Sequence, residues 1–354
     1  MSAAGELKTK PTQHSVKKLM ESGVNADIIV CRTEKSISKD LRSKIALFCN
    51  VEINSVIESI DAKTNYEVPL LMQDEKLDEV VLKKLNIPNS KSDLVDWKEF
   101  VSKLKNPKQN IKIGLIGKYV ELQDSYKSIL ESFVHAGAIN ETKIDVIPIH
   151  SENINIQTVE NEMSPLDGIL VAPGFGERGI EGKILSIKYA RENNLPFLGI
   201  CLGMQMAVIE FARNILNLKN ANSTEMDSLT EHPVINLMDD QVEIENKGGT
   251  MRLGSWDCKI YENTLAHDIY KKDMISERHR HRYELNFDYM NKLSEKGMVF
   301  SGSNPKTGLV EIIEIPNHDW FVGVQFHPEY QSTVANPHPI FVSFVKACIN
   351  KNRK

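Results

Sequence analysis

The run Leu195-Pro196-Phe197-Leu198 has the apolar character of a short buried strand, and Met206-Ala207-Val208-Ile209-Glu210-Phe211-Ala212 has helical spacing. Only the heptapeptide Gly199-Ile200-Cys201-Leu202-Gly203-Met204-Gln205 separates them. A strand that passes at once into a helix restricts the chain to an α/β fold, with the turn at a strand's C-terminal end. Two glycines around Cys201 give the turn the pattern of a nucleophile elbow, with Cys in place of Ser. The flanking residues must be small because the turn is sharp. The helix N-terminus then directs backbone N–H groups and positive dipole at the thiol, a setting that favours thiolate. The blander reading, an inert buried cysteine, stands beside it at this point.

Strand and helix alternate from residue 111 onward. Ile111–Gly117, Ile144–Ile149 and Asp167–Val171 read as strands, with helices over roughly Ser125–His135 and Glu181–Asn193. This alternation predicts an open, mostly parallel α/β sheet flanked by helices, with sites at strand C-terminal ends. The loop Ala172-Pro173-Gly174-Phe175-Gly176-Glu177-Arg178-Gly179 and Cys201 are two such ends on consecutive strands. Farther on, Leu309–Ile315 alternates, Pro316–Asp319 turns, and Trp320–Phe326 returns as a hairpin partner. Pro339 to Asn350 reads as a closing amphipathic helix.

The first hundred residues are organised differently. Lys8-Thr9-Lys10-Pro11-Thr12-Gln13 packs cations and hydroxyls around a proline, ahead of a helix that Thr12 or Ser15 would cap. Lysines at a helix start suit phosphate, although a basic stretch is more often a solvated face. Ala26–Cys31, Ser38–Cys49 and Ser55–Ile60 read as strand, capped helix and strand. So few elements cannot cover a parallel sheet on both faces, which predicts the tail of a larger domain over residues 1–64. Residues 65–110 read as a polar helical lid and linker, with breakers at Pro88–Ser92 and Lys105–Asn110, and residues 111–354 as a further domain.

Composition excludes little but does exclude some classes. A net charge of −5 gives no electrostatic case for nucleic acid. Five scattered cysteines without a CxxC predict reduced thiols and a cytoplasmic setting. No apolar run is long enough to span a membrane.

His327-Pro328-Glu329 follows the last strand. In extended backbone His327 and Glu329 share a face, so the carboxylate can orient the imidazole. Thiol, imidazole and acidic orienter are the parts acyl transfer needs. Gly174-Phe175-Gly176 and the N–H of Leu202 offer donors for an oxyanion. The stretch Glu277-Arg278-His279-Arg280-His281-Arg282-Tyr283-Glu284 invites a metal reading, but no third ligand at metal spacing is evident, and a solvated face is expected. An arginine there could clamp a carboxylate. Gly248–Gly254 is an ordinary loop or a mobile lid.

The heptapeptide and His327-Pro328-Glu329 together resemble the class I (triad-type) glutamine amidotransferases. Within that class the chain resembles the CTP synthase family, through Gly5–Val16, Lys44–Cys49, Ala221–Glu225, Gly248–Gly254 and Glu277–Tyr283. The resemblance implies conversion of UTP to CTP with ATP, Mg²⁺ and ammonia from L-glutamine. Residues 1–64 then match the end of a P-loop-type synthase (amidoligase) domain, and residues 111–354 the glutaminase. Carried over position by position, Cys201 attacks the amide, His327 moves the proton and Glu329 orients it. Gly174, Leu202, Gly203, Met204, Gln205, Glu225 and Arg282 match the glutamine and oxyanion positions. Lys8, Thr9, Lys10, Pro11, Thr12, Gln13 and Lys44 match UTP/CTP contacts, which reverses the solvated-face reading of the lysine loop. Ile60, Asp61 and Ala62 lie where the ATP base is held. GTP activation and a homotetramer are implied for the full-length enzyme; the loops Gly174–Gly179 and Gly248–Gly254 are candidates for the GTP site.

The family's P-loop and Mg²⁺ acids align ahead of Gly5. The chain is therefore expected to be a C-terminal portion that carries the glutaminase half-reaction and has no metal site. The alternative is an incomplete chain acting in nucleotide binding or assembly. Pro173 stands where the family often has glycine, and proline has no N–H to donate, so the loop must use Gly174 or its neighbour.

Overall fold

The computed structural model describes residues 7–88, 90, 92–121, 123–237 and 251–353. The chain divides into two compact units between Ser102 and Lys103.

The first unit carries α1 (Lys10–Glu21), β1 (Ile29–Thr33), α2 (Lys39–Cys49), β2 (Val56–Ile60), α3 (Val68–Asp74), α4 (Leu77–Lys84) and the start of α5 (Val95–Lys105). β1 and β2 pair in parallel, Ile29 opposite Val56 and Thr33 opposite Ile60, with α2 as the crossover. A small core of Val16, Ile29, Ile45, Ala46, Cys49 and Val56 joins both strands to α1 and α2. Ser38 caps α2 by accepting the Leu41 N–H at 3.3 Å, as its position before the apolar face predicts. The expected cap of α1 is corrected. The helix opens at Lys10, ahead of both Thr12 and Ser15, because Pro11 fits its first turn. Ser15 bonds back to the Pro11 carbonyl instead. Arg42 forms a bidentate pair with Glu75, at 2.8 and 3.2 Å, and also donates to the Val56 carbonyl, tying α2 to β2 and the end of α3.

The second unit continues with β3 (Gln109–Gly117), α6 (Lys127–Ile139), β4 (Thr142–His150), α7 (Val159–Met163), β5 (Gly168–Val171), α8 (Ile180–Glu192), β6 (Phe197–Ile200), α9 (Leu202–Asn214), β7 (Ala221–Ser223) and β8 (His232–Leu237). It ends with β9 (Arg252–Ile260), α10 (Leu265–Tyr270), β10 (Met274–His281), β11 (Tyr283–Leu285), α11 (Phe287–Glu295), β12 (Val299–Ser303), β13 (Val310–Glu314), β14 (Phe321–Val324) and α12 (Pro339–Asn352). Nine strands form one sheet in the order β10-β9-β12-β13-β14-β6-β5-β3-β4. The half from β14 to β4 is parallel, as the alternation predicts. The half from β10 to β14 is antiparallel, so the sheet as a whole is mixed. β11, β8 and β7 form a smaller sheet.

Alternate residues of the central strands feed two cores. Ile169, Val171, Phe197 and Ile313 face α8 and α9. Leu170, Leu198, Val322 and Val324 face α6 and α12, where Phe133 meets Phe341 edge-on. β13 was expected to alternate buried and exposed, yet every residue of it is buried, Glu311 and Glu314 included. It lies inside the sheet with both faces covered, so its polar residues need internal partners.

Candidate active site

Cys201 sits at the junction of β6 and α9 with φ +52° and ψ −102°. A side chain at positive φ is a stored strain, and here it lifts the thiol out of the sheet. The glycines permit this. A Cβ on Gly203 would lie 2.2 Å from the Val171 carbonyl oxygen, and one on Gly199 would lie 2.7 Å from the Gly203 backbone. The Cys201 N–H still donates to Val324 O at 2.7 Å, so the elbow remains registered on β14. The first intrahelical bond of α9 runs from Gln205 N to Cys201 O. Leu202, Gly203 and Met204 therefore present N–H groups that have no intrahelical partner, as at any helix start.

β14 runs parallel to β6, so its C-terminal end delivers the next residues to the same place. His327 Nδ1 donates to Glu329 Oε1 at 2.7 Å, and both side chains are buried. His327 Nε2 has no hydrogen-bond partner among the described residues. Burial opposes charge on His327. The Cys201 sulfur and then Glu329 outweigh burial and push the imidazole up to about 11. Cys201, His327 and Glu329 are thus brought together as expected from the sequence.

A cavity of about 320 Å³ opens beside Cys201, lined by residues that include Gly174, Phe175, Gln205, Glu225, His281 and Arg282. Arg282 Nε is buried there without a hydrogen-bond partner among the described residues, a donor well suited to a carboxylate. Glu225 accepts the Gly176 N–H at 2.8 Å through one oxygen. The Phe175–Gly176 peptide is gripped from its other side by Lys118, whose Nζ donates to the Phe175 carbonyl. Gly176 is thereby removed from the expected oxyanion donors, leaving Gly174 and Phe175 in this loop. Gln205 is buried and uses its amide N–H groups on Tyr283 O, at 2.9 Å, and on Gln325 Oε1, at 3.2 Å.

Several residues at this site were not singled out in the sequence. Gln325 donates to the Cys201 sulfur at 3.7 Å. Its place two residues before His327, just past the end of β14, is the signal that could have found it. Lys183, in the first turn of α8, is buried and donates to the Ala172 carbonyl at 3.0 Å. Burial and then the neighbouring Lys118 lower it to about 7, against the pull of Cys201.

The expected solvated face at 277–284 is corrected. Arg278 and Arg280 face outward, but Glu277, His279 and His281 are buried. Glu277 bonds His338 at 2.8 Å, and His279 bonds His281 at 2.8 Å. Among the described residues no cluster of three or more His, Cys, Asp or Glu is arranged to hold a metal ion. Gly248, Gly249 and Thr250, read as part of a loop or lid, lie outside the described residues; Met251 lines the cavity.

In the first unit Thr9 is buried and accepts a bond from Gln13 at 3.0 Å. Lys8, Lys10, Pro11 and Lys44 are exposed, and Thr12 is partly so. At the end of β2, Asp61 pairs with Arg32 at 3.2 Å, flanked by the half-buried Ile60 and Ala62.

Residues 121–347 match the family model for class-I glutamine amidotransferases, and residues 1–87 match the CTP synthase N-terminus. The chain belongs to the class-I glutamine amidotransferase family. Within it, its likeness along the whole chain is to the CTP synthases. It is 64% identical to CTP synthase from Flavobacterium johnsoniae, covering 100% of this chain and 66% of that protein. It is 65% identical to CTP synthase from Christiangramia forsetii, covering 98% of this chain and 64% of that protein. The chain thus spans about two-thirds of the length of these relatives. Among solved structures it is similar to the glutaminase domain of Trypanosoma brucei CTPS with bound acivicin, at 36% identity and a TM-score of 0.64. That likeness covers 68% of this chain and 94% of that one. Among the described residues no helix is long and apolar enough to cross a membrane.

Proposed function

We propose that the chain hydrolyses L-glutamine through Cys201, His327 and Glu329, and that the ammonia serves ATP-dependent amination of UTP to CTP. The observation that carries this reading is a strained cysteine on the cavity wall with a buried His–Glu pair beside its sulfur, and on the same wall an arginine whose Nε has no hydrogen-bond partner among the described residues. Arg282 holds the substrate carboxylate, and the free oxygen of Glu225 takes its ammonium. The Cys201 sulfur attacks the amide carbon, forming the C–S bond, while the carbonyl oxygen takes the displaced electron pair as an oxyanion. Gly174 and Leu202 N–H groups receive that oxyanion. His327 carries the proton from the thiol, and Nε2 passes it to the departing nitrogen as the C–N bond breaks and ammonia leaves. A water, deprotonated by His327, then attacks the glutamyl thioester. The tetrahedral adduct collapses to glutamate, and the proton returns to sulfur. Glu329 holds Nδ1 throughout, which leaves Nε2 to face the reaction.

The likeness to CTP synthases supports extending the reading to the first unit. There Lys8, Thr9, Lys10, Pro11, Thr12, Gln13 and Lys44 contact UTP or CTP, and Ile60, Asp61 and Ala62 contact ATP. ATP and Mg²⁺ serve the full enzyme, GTP activates it, and the full-length assembly is a homotetramer. The test is glutamate release from glutamine by the chain and by Cys201→Ala. Release that survives in Cys201→Ala would overturn the reading.

A further inference from the structure

Glu329 has few bonds of its own. Its Oε1 accepts from His327 at 2.7 Å, and its Oε2 has no hydrogen-bond partner among the described residues. Where that carboxylate stands is therefore set by the backbone of the short turn Pro328–Tyr330 that carries it. β10 grips this turn at both ends. Ahead of it, the His327 N–H donates to the Arg278 carbonyl at 2.8 Å. Behind it, the side-chain amide of Gln331 donates to the Ser276 carbonyl at 2.8 Å and to Glu277 Oε2 at 2.9 Å. Within it, the Tyr330 ring stacks on His327 with centroids 5.4 Å apart, and the Arg278 guanidinium lies over Tyr330.

Glu277 is the centre of this grip. It is buried, and its Oε1 accepts from His338 Nε2 at 2.8 Å and from the Tyr270 hydroxyl at 3.3 Å. His338 Nδ1 accepts the Ile340 N–H at the cap of α12, so the ring is neutral and its proton sits on Nε2. The His338 N–H closes the intervening loop onto Ser332 Oγ at 3.2 Å. Tyr270, His338 and Gln331 are thus all donors toward Glu277. An amide in its place would set an N–H against either His338 or Gln331, whichever way it turned. Turning Gln331 in answer would set its oxygen against the Ser276 carbonyl. Only an ionised carboxylate, which accepts and does not donate, satisfies all three.

We propose that Glu277 is a positioning residue for His327 and Glu329: through Gln331 and His338 it clamps the turn that carries Glu329 onto β10, which keeps that carboxylate on His327 Nδ1. This role rests on the glutaminase reading above and gives its acid–base arm a fixed support. The same strand reaches the nucleophile, since the Arg280 carbonyl lies 3.9 Å from the Cys201 sulfur. β10 is therefore a common support for nucleophile and base, and Glu277 fastens the base to it. Neither Glu277 nor Gln331 is among the residues lining the glutamine cavity, so the clamp bears on turnover and not on binding.

Glutamine hydrolysis by the full chain is the test. Gln331 is exposed, so replacing it leaves the cores intact. Gln331→Met keeps the length and removes the donor; kcat should fall about tenfold while KM stays within about twofold of wild type. Gln331→Lys returns a donor to Glu277 and Ser276, and should recover most of the kcat that Gln331→Met loses. Glu277→Gln should lower kcat by about 10- to 100-fold, again with little change in KM. Adding Gln331→Met to it should cost almost nothing more, because both act through one contact. A Gln331→Met chain with wild-type kcat, a Gln331→Lys chain as slow as Gln331→Met, or losses that multiply in the double variant overturn the proposal. The His327 titration, followed by NMR in Cys201→Ala, reads the clamp without glutamine, since Glu329 still raises it there. Glu277→Gln or Gln331→Met should lower that midpoint by about one pH unit as the bond to Glu329 loosens. An unmoved midpoint overturns the proposal. A lowered midpoint, where the wild-type chain releases no glutamate, upholds the clamp and counts against the glutaminase reading alone.

Discussion

Gly203→Ala isolates the geometry on which the site depends. The added methyl carbon would sit 2.2 Å from the Val171 carbonyl oxygen and 3.1 Å from its carbon. The first distance is more than about 1 Å short of van der Waals contact. Neither side can yield by rotating a side chain, because both are backbone: the end of β5 and the first turn of α9. Overpacking of this kind costs about 1–3 kcal/mol of stability. The catalytic cost is separate. Val171 leads directly into the loop that carries Gly174, and α9 carries Cys201 and Leu202, so relieving the clash moves oxyanion donors away from nucleophile. A displacement of about 1 Å at reacting groups lowers the rate by about 100-fold. Glutamate release should fall by about that factor, the loss appearing in kcat, in a chain whose thermal unfolding remains cooperative. Alkylation of Cys201 by iodoacetamide, which needs no oxyanion donor, should change far less. A folded Gly203→Ala chain with wild-type turnover would refute the argument that the elbow glycines set the distance between β5 and α9.

Other consequences are equally direct. Arg282→Lys should raise KM for glutamine by about 10- to 100-fold with a smaller change in kcat, since an ammonium cannot reproduce a bidentate grip on the carboxylate. Lys183→Met removes a buried amine whose folded value is lowered to about 7. A lowered value means that the folded chain has released a proton the unfolded chain keeps, so wild type should gain stability relative to the variant as pH rises from about 7 toward about 10.5. Denaturant titrations at either end of that window measure it. His327 has the opposite sign. Its raised value of about 11 means that its contribution to stability is whole below about pH 6.5 and is lost as pH climbs toward about 11. In Cys201→Ala the largest raising influence is gone, so the His327 titration followed by NMR should move down.

The elbow and its His-x-Glu partner were legible because each signal is local. Two glycines around Cys201 specify a backbone turn, and alternation places His327 and Glu329 together. The parallel strands were legible for the same reason: each is a short apolar run followed by a helix. The antiparallel half depends on pairings between distant segments, such as Cys258 with Ile275, which no local period encodes. The stretch 277–284 looked solvated because its charges are dense in sequence. In the fold every second residue points inward; Glu277 bonds His338 on another element, and His279 and His281 bond each other. Lys183 and Gln325 were invisible for a related reason, since their importance comes from which strand end they face. The Thr12 and Ser15 caps failed on a smaller point, that Pro11 serves a helix's first turn better than its approach.

Mass spectrometry of the acid-quenched chain after brief mixing with glutamine tests the central claim most directly. The account predicts a glutamyl adduct on the peptide carrying Cys201, absent in Cys201→Ala and formed far more slowly when His327 is replaced, since the same imidazole protonates the departing nitrogen. Glutamate formed at an undiminished rate by Cys201→Ala, or an adduct on any other residue, would contradict it.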